Sequence, residues 1–136
     1  MAANTTIALI YDDLVNAVKG IIEPEHIYLG YRPDVITEES PVSRFVVIDL
    51  PVHIKDMAAG NHKFHLTTIG VFHLFVKSKK NSTLNVNATS GFVEQLIGLF
   101  PISGEYVAAT DPKVLTDGID EYGYSFVTIT FGLHTR

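Results

Sequence analysis

Histidine is the side chain best suited to hold a metal or move a proton near neutral pH, and this chain has six. Three of them, His53, His62 and His65, fall in or beside one polar stretch. If the flanking strands pair with Ile54 opposite Phe64, then His53 faces His65 and His62 sits nearby. Neutral imidazoles so placed ligate zinc or copper. No acid or cysteine is fixed beside them, however, and metal-binding histidines are ordinarily oriented by a carboxylate behind them. Solvated strand ends are the simpler account. An enzyme assembled from scattered residues would draw on His53, His65 and Asp49.

Paired carboxylates occur at Asp12-Asp13, Glu38-Glu39 and Asp120-Glu121. Acid-base catalysis needs a carboxyl group whose pKa is shifted inside a pocket, and none of these pairs has an apolar setting, so the expectation is solvated surface. There is no Gly-x-Ser-x-Gly elbow, phosphate-binding glycine loop or dinucleotide fingerprint. Arg32, in a turn before a proline, can reach a neighbouring acid or another subunit, and a plain surface role suits it at least as well. Tyr28, Tyr31, Tyr106, Tyr122 and Tyr124 offer a stacking platform for single-stranded nucleic acid, but without basic neighbours they read better as core edge or protein interface. The residues define no catalytic centre, and no cofactor or metal is expected.

The elements around them follow from periodicity. Thr6 can cap a helix reaching about Lys19, with Ile7, Ile10, Leu14, Val18 and Ile21 at three- and four-residue spacing. Gly20 and Pro24 end it. His26 to Tyr31 is a short strand, broken by Arg32-Pro33-Asp34 and followed by an acidic loop into Pro41. Arg44 to Ile54 and Phe64 to Lys77 then alternate as two long strands of one hairpin. Val46, Ile48, Leu50, Val52 and Ile54 share one face with Phe64, Leu66, Phe72, Leu74 and Val76.

The opposite face of that hairpin carries Phe45, Val47, Asp49, Ile69, Val71, His73 and Phe75. A small domain has little left to cover it, which predicts an oligomer interface at Phe45, Val47, Asp49, Ile69, Val71 and His73. The connection from Lys55 to Lys63 is longer than a usual hairpin loop. It predicts a projecting arm that contacts partners through Lys55, Asp56, Met57, Asn61 and His62.

A second helix spans about Thr83 to Leu99, with Leu84, Ala88, Phe92, Leu96 and Leu99 as its stripe. Gly91 in its interior costs about 1 kcal/mol relative to alanine unless it permits a close approach to the sheet. Strands follow at Glu105 to about Thr110 and at Tyr122 to His134, with Asp111-Pro112 and Asp117-Gly118 between them as turn signals. The expected fold class is α+β: an antiparallel sheet with a long central hairpin and both helices packed on one face.

At 136 residues the chain reads as a single domain, 1–136, with no internal repeat and no second core. It has no cysteine, which removes disulfides and thiolate chemistry. No run approaches the roughly 20 apolar residues of a membrane span, and no basic leader opens the chain. The net charge of −5, with only Lys77, Lys79 and Lys80 clustered, argues against gripping nucleic acid.

In order and length of elements the chain resembles the tail-terminator proteins of long-tailed bacteriophages and their relatives among tail-completion and head-tail joining proteins. The helix from Thr6 to Gly20, the segment Ile27 to Val35 (IYLGYRPDV) and the acidic loop into Pro41 carry the resemblance. So do Phe45 to Leu50 (FVVIDL), the return strand ending His73 to Val76 (HLFV), and the helix followed by two strands. The resemblance covers nearly the whole chain.

It implies a non-catalytic virion protein of the tail and neck, assembled in the bacterial cytoplasm as a hexameric ring. Such a ring caps the tail tube, meets the tail-tube protein and the head-tail connector proteins, and lets DNA pass through its lumen without specific binding. A small binding or adaptor domain of a cell, such as a secretion-system component of similar layout, is the alternative. A metal-dependent enzyme is the remote one.

Overall fold

The computed structural model describes residues 7–37, 39–50, 58–59, 63–64, 67–78 and 86–135. Helix α1 (Ile7–Val18) forms where the apolar spacing places it. Ile10, Leu14 and Val18 are buried, while Asp12, Asn16 and Lys19 face solvent. One turn of 3-10 helix (Pro24–His26) leads into strand β1 (Ile27–Leu29).

Strands β2 (Arg44–Asp49), β3 (Ala58–Ala59), β4 (Lys63–Phe64) and β5 (Thr67–Lys77) follow. Helix α2 (Val86–Ile97) comes next, and then β6 (Ile102–Ser103), β7 (Val107–Ile119) and β8 (Tyr124–Thr135). Among the described residues no helix is long and apolar enough to cross a membrane.

Six strands form one sheet in the order β1-β2-β5-β8-β7-β6, and β3 and β4 make a separate two-stranded pair. The α+β class holds. Val46, Ile48, Phe72, Leu74, Ile129, Phe131 and Leu133 form the floor onto which Ile10, Leu14 and Val18 of α1 and Phe92 and Leu96 of α2 pack. Both helices therefore lie on one face, as a single apolar stripe on each requires. The α2 stripe is rotated from its expected position. Thr89, Phe92 and Leu96 are buried and Ala88 is exposed.

Four expectations need correction. The sheet is mixed, because β1 runs parallel to β2, pairing Tyr28 with Val47. Parallel neighbours need a long crossover, and the loop 30–43 supplies it. Second, Asp111-Pro112 and Asp117-Gly118 do not turn the chain. They are bulges inside one long strand. The β7–β8 register steps from Thr110↔Gly132 to Lys113↔Thr130, and again between Thr116↔Val127 and Gly118↔Phe126. Asp111 (φ +58°) and Gly118 (φ +124°) take the left-handed backbone that accommodates an extra residue. The same residue types serve a turn or a bulge, so composition alone could not separate them.

Third, Asp13 is buried. Its Oδ2 accepts hydrogen bonds from the backbone N–H of Tyr106 (2.7 Å) and Val107 (2.9 Å), tying α1 to the turn between β6 and β7. Fourth, there is a second core. Ile36, Phe45, Val47, Phe75 and Tyr124 pack together on the sheet face opposite the helices. As for the central hairpin, β2 and β5 pair antiparallel from Arg44↔Val76 to Asp49↔Val71. Most of the residues expected to extend and join them lie outside the described residues.

Candidate functional site

The face opposite the helices holds most of the residues singled out by sequence, and the chain itself closes half of it. The loop 30–43, leaving β1, lays Ile36 and Val42 over Phe45, Phe75 and Tyr124. Its anchor is Arg32, whose guanidinium carbon lies 4.6 to 5.6 Å from the ring centroids of Phe45, Phe75, Tyr122 and Tyr124. Cation–π attraction of this kind strengthens where water is excluded. Arg32 Nε donates to Asp120 Oδ2 at 2.8 Å, and Nη1 donates to the carbonyls of Pro33 (3.0 Å) and Ile36 (2.6 Å). The two charged side chains are only 18% and 12% exposed, so the pair is largely, though not fully, removed from water.

Asp120 also shapes the β7–β8 turn. Its Oδ1 accepts the backbone N–H of Tyr122 and of Tyr124, each at 2.9 Å. Gly123 closes the turn with φ +80°. The Tyr124 hydroxyl donates to the Val42 carbonyl at 2.7 Å, fastening the far end of the loop. Burial, acting first, raises the pKa of that phenol. Of the alternatives for Arg32, the neighbouring acid is the one realised. Asp120, expected on the surface, is a structural carboxylate.

This arrangement corrects the interface expectation. Phe45, Val47 and Val71 are buried by their own chain and cannot also be a subunit contact. Asp49 and His73 are half-buried and Ile69 is exposed. The physical error was to count only helices as cover. A loop of modest hydrophobicity covers aromatic surface when a cation inside it takes the rings as partners. The arm residues Lys55, Asp56, Met57, Asn61 and His62 lie outside the described residues, as do His53 and His65.

The open half of the face has some chemical content. His73 Nδ1 and Thr128 Oγ1 share a hydrogen bond at 3.1 Å, and His73 Nε2 lies 4.0 Å from Asp49 Oδ2. A hydroxyl, an imidazole and a carboxylate in a row are the parts of an activated nucleophile. The carboxylate is too distant to hydrogen-bond and orient the ring. Thr128 sits mid-strand between His73 of β5 and Leu115 of β7, a ladder position that leaves little backbone N–H to stabilise an oxyanion. Across α1, burial and then the negative charge of Asp49 raise the pKa of Tyr11. Among the described residues, no three His, Cys, Asp or Glu side chains converge to hold a metal.

The five tyrosines divide between core edge and surface. Tyr28 packs edge-on to Phe45 at 5.7 Å, Tyr122 lies against Arg32, Tyr124 is fully buried, and Tyr106 abuts the helix-side core. Only Tyr31, 77% exposed, is left as open aromatic surface.

Among the described residues, most of the exposed large apolar side chains lie toward the two ends of the sheet, with Ile69 of β5 between them. Leu29 is exposed on β1, with Tyr31 and Val35 exposed on the loop that leaves it. Val114 and Leu115 are exposed on β7, and Val86 of α2 lines an apolar groove of about 210 Å³ together with Val114. The short β6 covers β7 only at Ala108 and Ala109, so the remainder of β7 is an outer edge among the described residues. Sequence reasoning had named Tyr31 among the tyrosines of a core edge or protein interface, and it missed the rest. Val35 stood among loop residues, and Val114 and Leu115 lay between the two supposed turns.

Compared with known protein-family models and with curated proteins, the chain matches none.

Proposed function

We propose that this chain is a non-catalytic structural subunit that assembles head to tail into a closed ring, the hexameric ring of a phage tail neck. In that role it caps the tail tube, meets the tail-tube and head-tail connector proteins, and surrounds DNA without reading it. The observation that carries the reading is the placement of exposed large apolar side chains. Leu29, Tyr31 and Val35 belong to the β1 side of the sheet, Val86, Val114 and Leu115 to the β7 side, and Ile69 alone to the central strand β5 among the described residues. A ring needs heterologous contacts, in which one patch of each subunit meets a different patch of the next. Two apolar patches borne by opposite sides of one sheet meet that requirement. A single apolar face would instead favour a two-fold dimer.

The arrangement of helices and strands supports the same reading, because it follows the order that the tail-terminator resemblance implies. A net charge of −5 suits a lumen that DNA must pass without sticking.

The test is the mass of the purified protein by native mass spectrometry and light scattering over a range of concentrations, with electron micrographs of the same material. Rings are expected. Tyr31→Asp and Leu115→Asp are each expected to yield a folded monomer, because both side chains are already outside the core. A wild-type protein that stays monomeric at high concentration overturns the proposal, as does a ring unaffected by either substitution.

A further inference from the structure

The groove of about 210 Å³ between α2 and the strands β7 and β8 is walled by Val86, Val93, Val114 and Phe126. We propose that it receives the Tyr31 side chain of the next subunit, whose hydroxyl pairs with that of Thr89. The inference rests on the ring reading and names the contact through which one subunit meets the next.

Size is the first reason. A cavity of roughly 150 Å³ with apolar walls holds a benzene ring, so this groove has room for one phenol. Its rim is not core surface, because Val86 and Val114 are both exposed. Tyr31 stands 77% exposed on the loop that leaves β1, so it does not occupy the groove of its own chain. Aromatic anchors seated in pockets carry much of the affinity of protein interfaces. A knob and a socket on different patches of one chain make the heterologous contact that a ring repeats.

Hydrogen bonding is the second, and it selects the occupant. Thr89 lines the groove, is only 9% exposed, and its hydroxyl has no hydrogen-bond partner among the described residues. A buried hydroxyl left unpaired costs about 1–3 kcal/mol. Threonine in a helix divides between two χ1 rotamers, and rotation between them can turn the hydroxyl toward the groove. Water is a poor partner there. An ordered water needs several polar neighbours, and the Ser125 hydroxyl is already bonded to that of Ser78. A phenol meets both demands, with a ring for the valines and an oxygen for Thr89. Among the large apolar side chains exposed in the described residues, Leu29, Val35, Ile69 and Leu115 carry no polar atom, nor do the valines of the groove itself. Tyr31 does.

The test follows assembly by light scattering and native mass spectrometry, with urea unfolding of every variant. Thr89→Val removes an unpaired buried hydroxyl, so the monomer should be at least as stable as wild type. The same substitution should raise the concentration for half-assembly about fivefold, the worth of one neutral hydrogen bond. Tyr31→Phe should do likewise, and the double variant should lose no more than either alone. Ser90→Phe, which fills the groove from its exposed wall, should give a folded monomer. Mixed with the Tyr31→Asp protein, whose groove is open, it should form a one-to-one dimer and nothing larger. A wild-type protein that never assembles overturns the ring reading and this contact together. Three results overturn this contact alone while rings persist: additive or absent effects of Thr89→Val and Tyr31→Phe, a Ser90→Phe protein that still forms rings, or a mixture that stays monomeric.

Discussion

Removing the carboxylate of Asp120 isolates the interaction that closes the second core. Asp120→Ala deletes the acceptor of Arg32 Nε at 2.8 Å and of two backbone N–H groups at 2.9 Å. Breaking a fully buried ion pair from one side costs about 3–5 kcal/mol, because the surviving charge is stranded, and a largely buried pair such as this one falls toward the lower end. Here the four rings around Arg32 still attract the cation, each by about 0.5 kcal/mol or more, which puts the charge contribution near the lower bound. The two backbone donors add about 0.5–1 kcal/mol each. A total of about 4 kcal/mol is therefore expected.

Asp120→Asn separates the parts. It retains an oxygen for the two backbone donors, but an NH2 group that cannot accept replaces the oxygen facing Arg32 Nε, so the ion pair and its hydrogen bond are lost together, for about 3 kcal/mol. The double variant Arg32→Leu with Asp120→Asn should recover part of that loss, since replacing both partners leaves no stranded charge. Urea unfolding of the four proteins forms a double-mutant cycle with a coupling of at least about 1.5 kcal/mol. A coupling near zero, or Asn as damaging as Ala, would refute the account in which Arg32 is bound by its charge.

Two further outcomes test the helix-side anchor and the buried phenols. Asp13→Ala should cost about 2–3 kcal/mol in urea unfolding by leaving the N–H groups of Tyr106 and Val107 without their acceptor. A methyl group on Gly104 would collide with the same carboxylate and come close to the Asp13 Cβ, so Gly104→Ala should be destabilising in the wild type and markedly less so once Asp13 is Ala. Strict additivity would refute that contact. Tyr11 and Tyr124 both have pKa values raised above the ordinary 10.0. A raised pKa means the folded state keeps its proton longer, so this contribution is complete below about pH 10 and is lost as the pH climbs toward the folded value. Urea midpoints should fall as the pH rises above about 10, and less steeply in Tyr124→Phe.

What could be read from sequence was what short-range periodicity encodes. Ile10, Leu14 and Val18 fixed the buried side of α1, and alternation fixed the facing of β2, β5 and β8, because each signal lies within one element. Contacts between distant segments left no such trace. Arg32 and Asp120 are 88 positions apart, and neither neighbourhood announces the other. Asp13 looked solvated because its partners, the backbone N–H groups of Tyr106 and Val107, are common to every sequence. The second core was misread as a subunit interface for the same reason. Phe45 and Phe75 were seen to be apolar, but the loop that covers them is held by a cation, a residue that hydrophobic patterning counts as polar.

The bulges of β7 bear on how the proposed ring can close. A long outer strand with free backbone groups invites indefinite strand addition, and natural proteins block it with proline, lysine and bulges. On β7, Pro112 lacks an N–H, Lys113 follows it, and register steps flank the stretch from Lys113 to Thr116. A neighbour is thus hindered from extending the ladder, while Val114 and Leu115 still project as exposed apolar side chains. Head-to-tail contacts that repeat without closing produce filaments, whereas a fixed rotation between neighbours produces a ring. Side-chain packing against an interrupted edge can fix such a rotation. Continuous strand pairing would instead set the angle by sheet twist alone. The same bulges that hid β7 from the sequence therefore suit this edge to finite assembly.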